Sequence, residues 1–371
     1  MGDLSGILTP PRTMVLAALG QVGPLSRTEL ARRLSLSPAT VTQVTRRLID
    51  EGLVEELERT PSRGGRPAQL LGLTGAPARA IGVQIALDRA VGVEVRLDGA
   101  LLQEREIPLD ATAPDCLDTV AALVAALASR GSRLLGVGVC VPGVVDRPGS
   151  GVVDSPPLTW TSMPAGARLR AALDLPVLVE NDVNALAVAE RLYGRGRGRD
   201  DFIVVTIGRG VGLAIVAGGA LLRGATGGAG EFGHTPVAEG PRCTCGNLGC
   251  LEAVVGAASL RARTLRMEPA TVYAEAGAVL GRAIAGLVNI LDPAAVLVLG
   301  EATRQWDRWR PGFDASFPAH LTRPTRHIPV EVGAWEDSRW AQGAAALVLG
   351  APLGVVPGIG DQGELVQALL T

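Results

Sequence analysis

The sequence predicts a mixed α/β protein with a small helical head at the N-terminus and a larger body of two lobes with a cleft between them. Three observations predict this class. Residues 12–49 contain helices joined by tight turns, whereas from Ala80 onward strands and helices alternate, with glycines at the strand ends. The chain has 371 residues, which is too long for one average domain. We expect residues 1–76 to form the head and residues 77–371 the body.

Composition and charge restrict the partners of the chain. All 35 basic residues are arginine, and the net charge of −2 excludes a uniformly basic nucleic-acid binder. Residues 10–70, however, contain nine arginines against six acidic residues, so positive charge is concentrated in the head. No apolar run approaches the roughly 18 residues of a membrane span, and the N-terminus has no pattern of a secretion signal. We therefore expect a cytoplasmic protein without a membrane partner.

The head has the pattern of a helix-turn-helix. Residues 12–20 predict a first helix that Gly20 ends. The second helix begins at Ser26, whose hydroxyl forms a capping box with Glu29. Ser37 then caps a third helix, whose first residue is a proline. Small polar side chains remain exposed near the start of this third helix, as in helices that enter the major groove of DNA.

The segment after the third helix predicts a β-hairpin wing. Its pattern is strand, loop and strand, with the arginine- and glycine-rich residues 63–67 at or near the tip. Arginines in such a loop suit the narrow minor groove, where the potential is most negative. The alternative is a small helical cap domain with a solvated loop, but the helices, the wing and the charge together favour binding to double-stranded operator DNA. The residues expected to contact DNA are Ser37, Thr40, Thr42, Gln43, Arg46, Arg63 and Arg66.

The body alternates strands and helices. Residues 81–99 predict two strands joined by a short turn, and residues 117–129 predict a helix. Further along, a strand and turn lead into a helix that starts near Asp182. Residues 201–216 predict two strands on either side of a glycine-rich turn, and residues 289–301 predict a helix followed by a strand. This alternation is typical of α/β folds that bind ligands at the ends of their strands.

Three of the five cysteines and one of the three histidines fall within residues 234–250. One nitrogen and three sulfurs complete a tetrahedral zinc site that leaves no position for water, so the site is predicted to be structural, with one zinc per chain. The ligands are His234, Cys243, Cys245 and Cys250. Packed free thiols are disfavoured, because GNLG is a turn sequence that would leave them exposed, and a redox centre is the third possibility.

The order of the motifs resembles the ROK family, which comprises repressors, open reading frames and sugar kinases. The motifs are VPGVVD at 141–146, ENDVNA at 180–185, TIGRGVG at 206–212, GEFGH at 230–234 and CTCGNLGCLE at 243–252. The resemblance covers essentially the whole chain, since repressors of this family also carry an N-terminal winged helix. It implies an actin-like, ribonuclease-H-like sugar-kinase fold for the body.

The resemblance also implies a sugar site. In the similar sugar kinases, residues of the ENDxN and GExGH motifs and the glutamate after the last zinc cysteine bind sugar hydroxyls. The matching residues here are Asn181, Asp182, Glu231, His234 and Glu252. Carboxylates and amides suit hydroxyl groups, and zinc would hold its flanking residues in place around the pocket. The alternative interpretation makes Glu231 and Glu252 surface charges.

The residues that bind ATP in the kinases are altered. Their first phosphate turn, Asp-x-Gly-Gly-Thr, is replaced by residues 84–88, QIALD, which lacks the first carboxylate and both glycines. Arg209 stands in the second turn, and Glu301 replaces a glycine near the nucleotide. These changes predict a sugar sensor with a degenerate ATP site and no catalytic residues. An active sugar kinase with a fused DNA-binding domain is the alternative.

The expected function is a sugar-responsive transcriptional regulator, most simply a repressor of carbohydrate genes. A single winged helix has modest affinity, so a homodimer or dimer of dimers on paired half-sites is expected. A second alternative replaces the sugar with a protein partner that sequesters the factor.

Overall fold

The computed structural model describes residues 11–57, 69–74, 78–128, 133–322, 327–356 and 359–370. The chain divides into two compact units. The first contains the head, the following residues to Gly198, and the C-terminal segment from Trp340. The second unit contains residues 199–339. The placement of a domain boundary at residues 76–77 stays a prediction.

The head is a winged helix. Its helices are α1 (Pro11–Val22), α2 (Arg27–Leu34) and α3 (Pro38–Asp50), and its strands are β1 (Leu25–Ser26), β2 (Val54–Glu56) and β3 (Leu70–Leu73). The strands form an antiparallel sheet in the order β1-β3-β2. The predicted capping box of α2 is present: Ser26 Oγ accepts a hydrogen bond from Glu29 N, and Ser26 N donates one to Glu29 Oε2. The local sequence thus fixes where this helix begins.

The end predicted for α1 is wrong. The helix continues through Gly20 to Val22, and Gly20 is buried. A Cβ at position 20 would lie 2.6 Å from Cδ1 of Leu353, so the absence of a side chain allows Leu353 to pack on the helix. Gly20 therefore serves a close packing contact.

The body of the first unit is built on a five-stranded sheet in the order β11-β7-β4-β5-β6. β4, β5 and β6 are antiparallel to one another, whereas β7 and β11 run parallel to β4. The strands are β4 (Ala78–Ile85), β5 (Arg89–Arg96), β6 (Leu101–Pro108), β7 (Arg133–Val141) and β11 (Val177–Asn181), and the helices are α4 (Cys116–Leu127), α5 (Ala165–Leu173), α6 (Asp182–Leu192), α11 (Arg339–Gly350) and α12 (Gly360–Leu370). A small separate sheet contains β8 (Val144–Val145), β9 (Val153–Ser155) and β10 (Trp160–Met163).

The second unit repeats this topology. Its sheet order is β14-β13-β12-β15-β16, with the first three strands in sequence antiparallel and the last two parallel to β12. Its strands are β12 (Phe202–Ile207), β13 (Val211–Ala217), β14 (Ala220–Leu221), β15 (Ala295–Leu299) and β16 (Val330–Val332), and its helices are α7 (Leu251–Val255), α8 (Ala257–Thr264), α9 (Pro269–Leu291) and α10 (Trp306–Ala319). Each sheet places its first strand at the centre, as the ribonuclease-H-like prediction requires.

Of the helices in the described ranges, α9 alone has the length and composition of a membrane span. One of its faces is buried in the core of the second unit, through Val272, Ala276, Leu280 and Ile284. The same core contains Trp309 and Phe313 of α10. A core helix of this kind passes the same test of length and apolar composition.

Candidate functional site

The third helix of the head presents an exposed polar face. Ser37 Oγ caps α3 by accepting a hydrogen bond from Thr40 N at 3.1 Å, and Pro38 is the first helical residue, as predicted. Thr42, Gln43, Arg46 and Arg47 are exposed, and Val41 and Leu48 are buried. Arginine and amide side chains on one helical face can contact phosphates and base edges.

Three of the predicted DNA contacts already have hydrogen-bond partners at the start of α3. Ser37 Oγ and Thr40 Oγ1 lie 2.8 Å apart, and Thr42 Oγ1 donates a hydrogen bond to the carbonyl of Pro38. Thr45 is fully buried, and its hydroxyl accepts a hydrogen bond from Arg27 Nε. It lies four residues after Val41 and three before Leu48, so the helical period places it on the same inward face of α3.

The wing is only partly described. β2 and β3 pair antiparallel, with Val54 opposite Leu73, as the predicted hairpin requires. The predicted tip residues Arg63 and Arg66 lie outside the described residues.

The predicted metal ligands lie together in the second unit. One ligand atom from each of His234, Cys243, Cys245 and Cys250 lies within 4.8 Å of the others. Cys243 Sγ is 3.4 Å from His234 Nδ1, and Cys245 Sγ is 3.6 Å from Cys250 Sγ. A site with one nitrogen and three sulfurs at this spacing can hold a metal ion, and zinc is the ion that prefers such a closed set.

The backbone around the cluster is a tight turn. Cys243 N donates to Asn247 O, and Gly246 and Gly249 have φ values of +95° and +67°. Cys243 and Cys250 are buried, and Cys245 is exposed. The turn sequence was expected to expose free thiols, and of these three cysteines only Cys245 is in fact exposed. The pKa of Cys245 lies below its ordinary value, chiefly because the backbone N–H of Asn247 hydrogen-bonds to its sulfur. This hydrogen bond favours the thiolate form that binds metals.

Glu231 and His234 are neighbours at the edge of the cluster. They stand one turn apart at the short 3₁₀ helix Phe232–His234, and His234 Nε2 lies 3.6 Å from Glu231 Oε2. Nδ1 faces the sulfurs, so the two ring nitrogens have separate surroundings. A carboxylate beside the second nitrogen of a metal-binding histidine orients the ring. Glu231 remains half exposed and can also reach a ligand.

Glu252 contacts the glycine-rich turn of residues 206–212. Its Oε2 accepts a hydrogen bond from Val211 N at 3.1 Å, and the same oxygen occupies the space that a Cβ at Gly210 would fill. The carboxylate of Glu301 lies in the same way against Gly208. Two carboxylates of the protein therefore lie against the turn that would cradle phosphates in a kinase.

The other altered phosphate turn is a closed hairpin. Ala86 N donates to Arg89 O, while Leu87 O and Asp88 O accept hydrogen bonds from Ala111 N and Leu109 N. Gln84 is buried in the adjoining strand β4, and the amide oxygen of its side chain has no hydrogen-bond partner among the described residues. These backbone groups of the turn are therefore hydrogen-bonded within the hairpin or to residues 109–111.

Asn181 and Asp182 lie in the first unit, where β11 passes into α6. Asn181 Oδ1 caps α6 by accepting from Val183 N and Asn184 N, and its Nδ2 donates to Gly143 O at 3.0 Å. The predicted start of this helix at Asp182 is confirmed. Asn181 thus positions Asp182, whose carboxylate is half buried at the first turn of the helix.

Known proteins and protein families are similar in sequence to this chain in both its head and its body. The model of the ROK family matches residues 80–351, and the model of the MarR family matches residues 8–63. The chain belongs to the ROK family. This assignment confirms the predicted family, and the MarR match agrees with a winged-helix head.

The chain is similar to regulators over nearly its full length. It is 29% identical to the DNA-binding transcriptional dual regulator NagC of Escherichia coli K12, with 96% of this chain and 94% of NagC covered. It is also 29% identical to the transcriptional repressor Mlc of the same organism, covering 89% and 91%. These relatives confirm the predicted class of function, a sugar-responsive transcriptional regulator.

Solved structures agree on the fold. A ROK family transcriptional regulator described as a homologue of Escherichia coli Mlc superposes with a TM-score of 0.77 at 24% identity, covering 97% of this chain and 99% of that one. A ROK glucokinase from Streptomyces griseus, in complex with glucose and AMPPNP, superposes with a TM-score of 0.64 at 28% identity. It covers 72% of this chain and 98% of the glucokinase. The predicted combination of winged helix and actin-like sugar-kinase fold is confirmed.

Proposed function

We propose that this protein is a repressor of carbohydrate genes that binds operator DNA through its head and a small sugar through its body, without phosphorylating the sugar. The residues proposed to contact the sugar are Asn181, Asp182, Glu231, His234 and Glu252, with Asn181 holding Asp182 in place. The names of two similar proteins, a DNA-binding transcriptional dual regulator and a DNA-binding transcriptional repressor, support the DNA-binding part of this proposal, and their chain-wide similarity supports a single shared mode of action.

The observation that carries the proposal is the carboxylate of Glu301, which lies against the glycine-rich turn of residues 206–212. A phosphate-binding turn directs backbone N–H groups at the phosphate oxygens. Here Glu301, which stands where the kinases have a glycine, lies against Gly208. A negative carboxylate at this position would repel ATP phosphates and so opposes nucleotide binding. Glu252, which accepts a hydrogen bond from Val211 N, is shared with the sugar kinases and does not separate a sensor from a kinase.

We further propose that the four-residue cluster holds one structural zinc ion. The ligand set is His234, Cys243, Cys245 and Cys250, and the resulting site has no position for a reacting water. The role of the ion would be to fix the positions of Glu231 and Glu252, which flank the four ligands in the sequence. We also propose that the protein is a dimer, because two heads bound to paired half-sites raise both the affinity and the specificity of DNA binding.

A ligand screen tests the proposal. The purified chain should be heated with glucose, xylose, N-acetylglucosamine and their 6-phosphates or nearest phosphate esters. A sugar at 100 times its Kd stabilises the folded state by about 2.7 kcal/mol and raises the melting temperature visibly. The stabilising sugar should then show no phosphate transfer from ATP above the rate without protein. Steady turnover that is lost in Asp182→Asn would contradict the proposal and favour the kinase alternative.

The exposed face of α3 supplies a second test. Arg46→Ala should weaken operator binding and lower the slope of affinity against salt concentration by about one ion, because an arginine on phosphate releases counterions. Gln43→Ala should instead change which bases are preferred. Arg105→Ala, which removes the same charge from β6 of the body, is the matched control. Equal affinities for wild type, Arg46→Ala and Gln43→Ala would show that α3 does not contact DNA.

A further inference from the structure

The C-terminal end of α1, the first helix of the head, is bonded to the segment that follows α6. Arg197 Nη2 donates to Leu19 O at 2.9 Å, and Gly198 N donates to Gln21 O at 2.9 Å. These two carbonyls belong to the last turn of α1. Leu19 O also accepts a hydrogen bond from Gly23 N at 3.1 Å, so Arg197 is its second donor, and the donor to Gln21 O is Gly198 N of the body. The body therefore donates one hydrogen bond to each of two carbonyls at the end of a head helix.

Further contacts connect the end of α1 to the body. Gln21 Nε2 donates to Leu353 O at 3.0 Å, and Arg191 Nη2 lies 3.4 Å from Gln21 Oε1. At Gly23, where φ is +108°, an added Cβ would lie 3.4 Å from Cζ of Arg197. Positive guanidinium groups at the C-terminus of a helix are also favoured by the helix dipole. The name "joint" below refers to these contacts of residues 19–23 with Arg191, Arg197, Gly198 and Leu353.

The helix that leads to the joint starts at the proposed sugar contact. α6 runs from Asp182 to Leu192, about 16 Å at 1.5 Å per residue. Most of its residues are buried, and at Gly343 the helix α11 lies so near that a Cβ would be 2.8 Å from Leu186 N. A short, buried and closely packed helix moves as a rigid body, so a displacement at its first turn reaches its last turn.

We propose that α6 is the element through which a bound sugar changes DNA binding, with Asp182 at one end and the joint to α1 at the other. The inference rests on the proposed function, because it assumes that Asp182 contacts the sugar. A ligand shifts an equilibrium only by its difference in affinity for the two states, so sugar must favour one position of α6 over another. The joint then carries that position to the head.

The test is a variant that opens the joint and leaves both binding sites intact. Arg197→Met keeps the length of the side chain but removes the hydrogen bond to Leu19 O. Arg195→Met is the control, because Arg195 is an exposed arginine of the same loop. For each protein we would measure the Kd of a fluorescent operator duplex, selected from random DNA, with and without the sugar identified by the screen.

Sugar should change the operator Kd of the wild type and of Arg195→Met by at least about fivefold, the lower end of ordinary allosteric coupling. In Arg197→Met the change should fall below about twofold, while the Kd for sugar stays the same. If sugar changes the operator Kd of Arg197→Met as much as that of the wild type, the inference is overturned. This holds even if the melting temperature falls, because Arg197 would then contribute only to stability.

Hydrogen exchange separates the inference from the proposed function. If none of the sugars shifts operator affinity in the wild type, the sugar part of the proposed function fails. The joint is then tested with the operator duplex alone, which should alter exchange of the amides of residues 182–192 in the wild type and leave them unchanged in Arg197→Met. Unaltered exchange in the wild type would overturn the inference by itself.

Discussion

Replacing Cys245 with serine is expected to release the metal and to lower the melting temperature of the second unit by roughly 10 °C. Three remaining ligands bind zinc far more weakly than four, and the binding free energy of a structural zinc contributes directly to folding. A loss of about 4 kcal/mol corresponds to this shift, at roughly 2–4 °C per kcal/mol for a domain of about 150 residues. The measurements are metal content by mass spectrometry and thermal unfolding.

Cys116→Ala is the control for this experiment. Cys116 is a buried cysteine of the first unit and lies outside the cluster. Its replacement should leave one zinc per chain. Freshly purified wild type without zinc, or Cys245→Ser that keeps both its zinc and its melting temperature, would contradict the metal assignment.

The second large effect is expected from Glu231→Ala. The sugar Kd should rise by one to two orders of magnitude, because a hydrogen bond to a charged group contributes about 1.5–3 kcal/mol. The operator Kd in the absence of sugar should not change, since Glu231 lies in the second unit and the proposed DNA contacts lie in the head. Sugar titration by calorimetry and operator titration by fluorescence anisotropy measure the two quantities.

Glu239→Ala is the matched control, because Glu239 is an exposed glutamate of the same loop, between His234 and Cys243. Zinc content must be measured in both variants, since Glu231 also lies beside the second nitrogen of His234 and can affect metal affinity. If Glu231→Ala retains its zinc and binds sugar as tightly as the wild type, Glu231 is a surface charge, as the alternative interpretation holds.

Local signals in the sequence predicted the features that short segments determine. Ser26 with Glu29 fixes the start of α2, and Ser37 with Thr40 fixes the start of α3, each through a contact three residues apart. The four metal ligands could also be predicted from the sequence, because they all come from seventeen consecutive residues. The pairing of strands into two repeated sheets followed from the family resemblance, since no local pattern specifies strand order.

Features that depend on distant partners were missed. β6 was not predicted, because as an edge strand it is largely exposed and LLQEREIP shows no alternation of apolar and polar residues. The bond from Val211 N to Glu252 spans 41 residues, and the contact of Arg197 with Leu19 spans 178. Gly20 was interpreted as a helix end because its packing partner, Leu353, is distant in sequence. Such contacts become visible only when the fold brings the segments together.

We propose that this chain senses a sugar and needs no nucleotide to do so. The most direct test is titration of the operator duplex with wild-type protein at saturating sugar, in the presence and absence of ATP and Mg²⁺. We predict that sugar alone changes the operator Kd by at least about fivefold and that ATP adds nothing. A response to sugar that appears only when ATP and Mg²⁺ are present, and is accompanied by consumption of ATP, would contradict the claim.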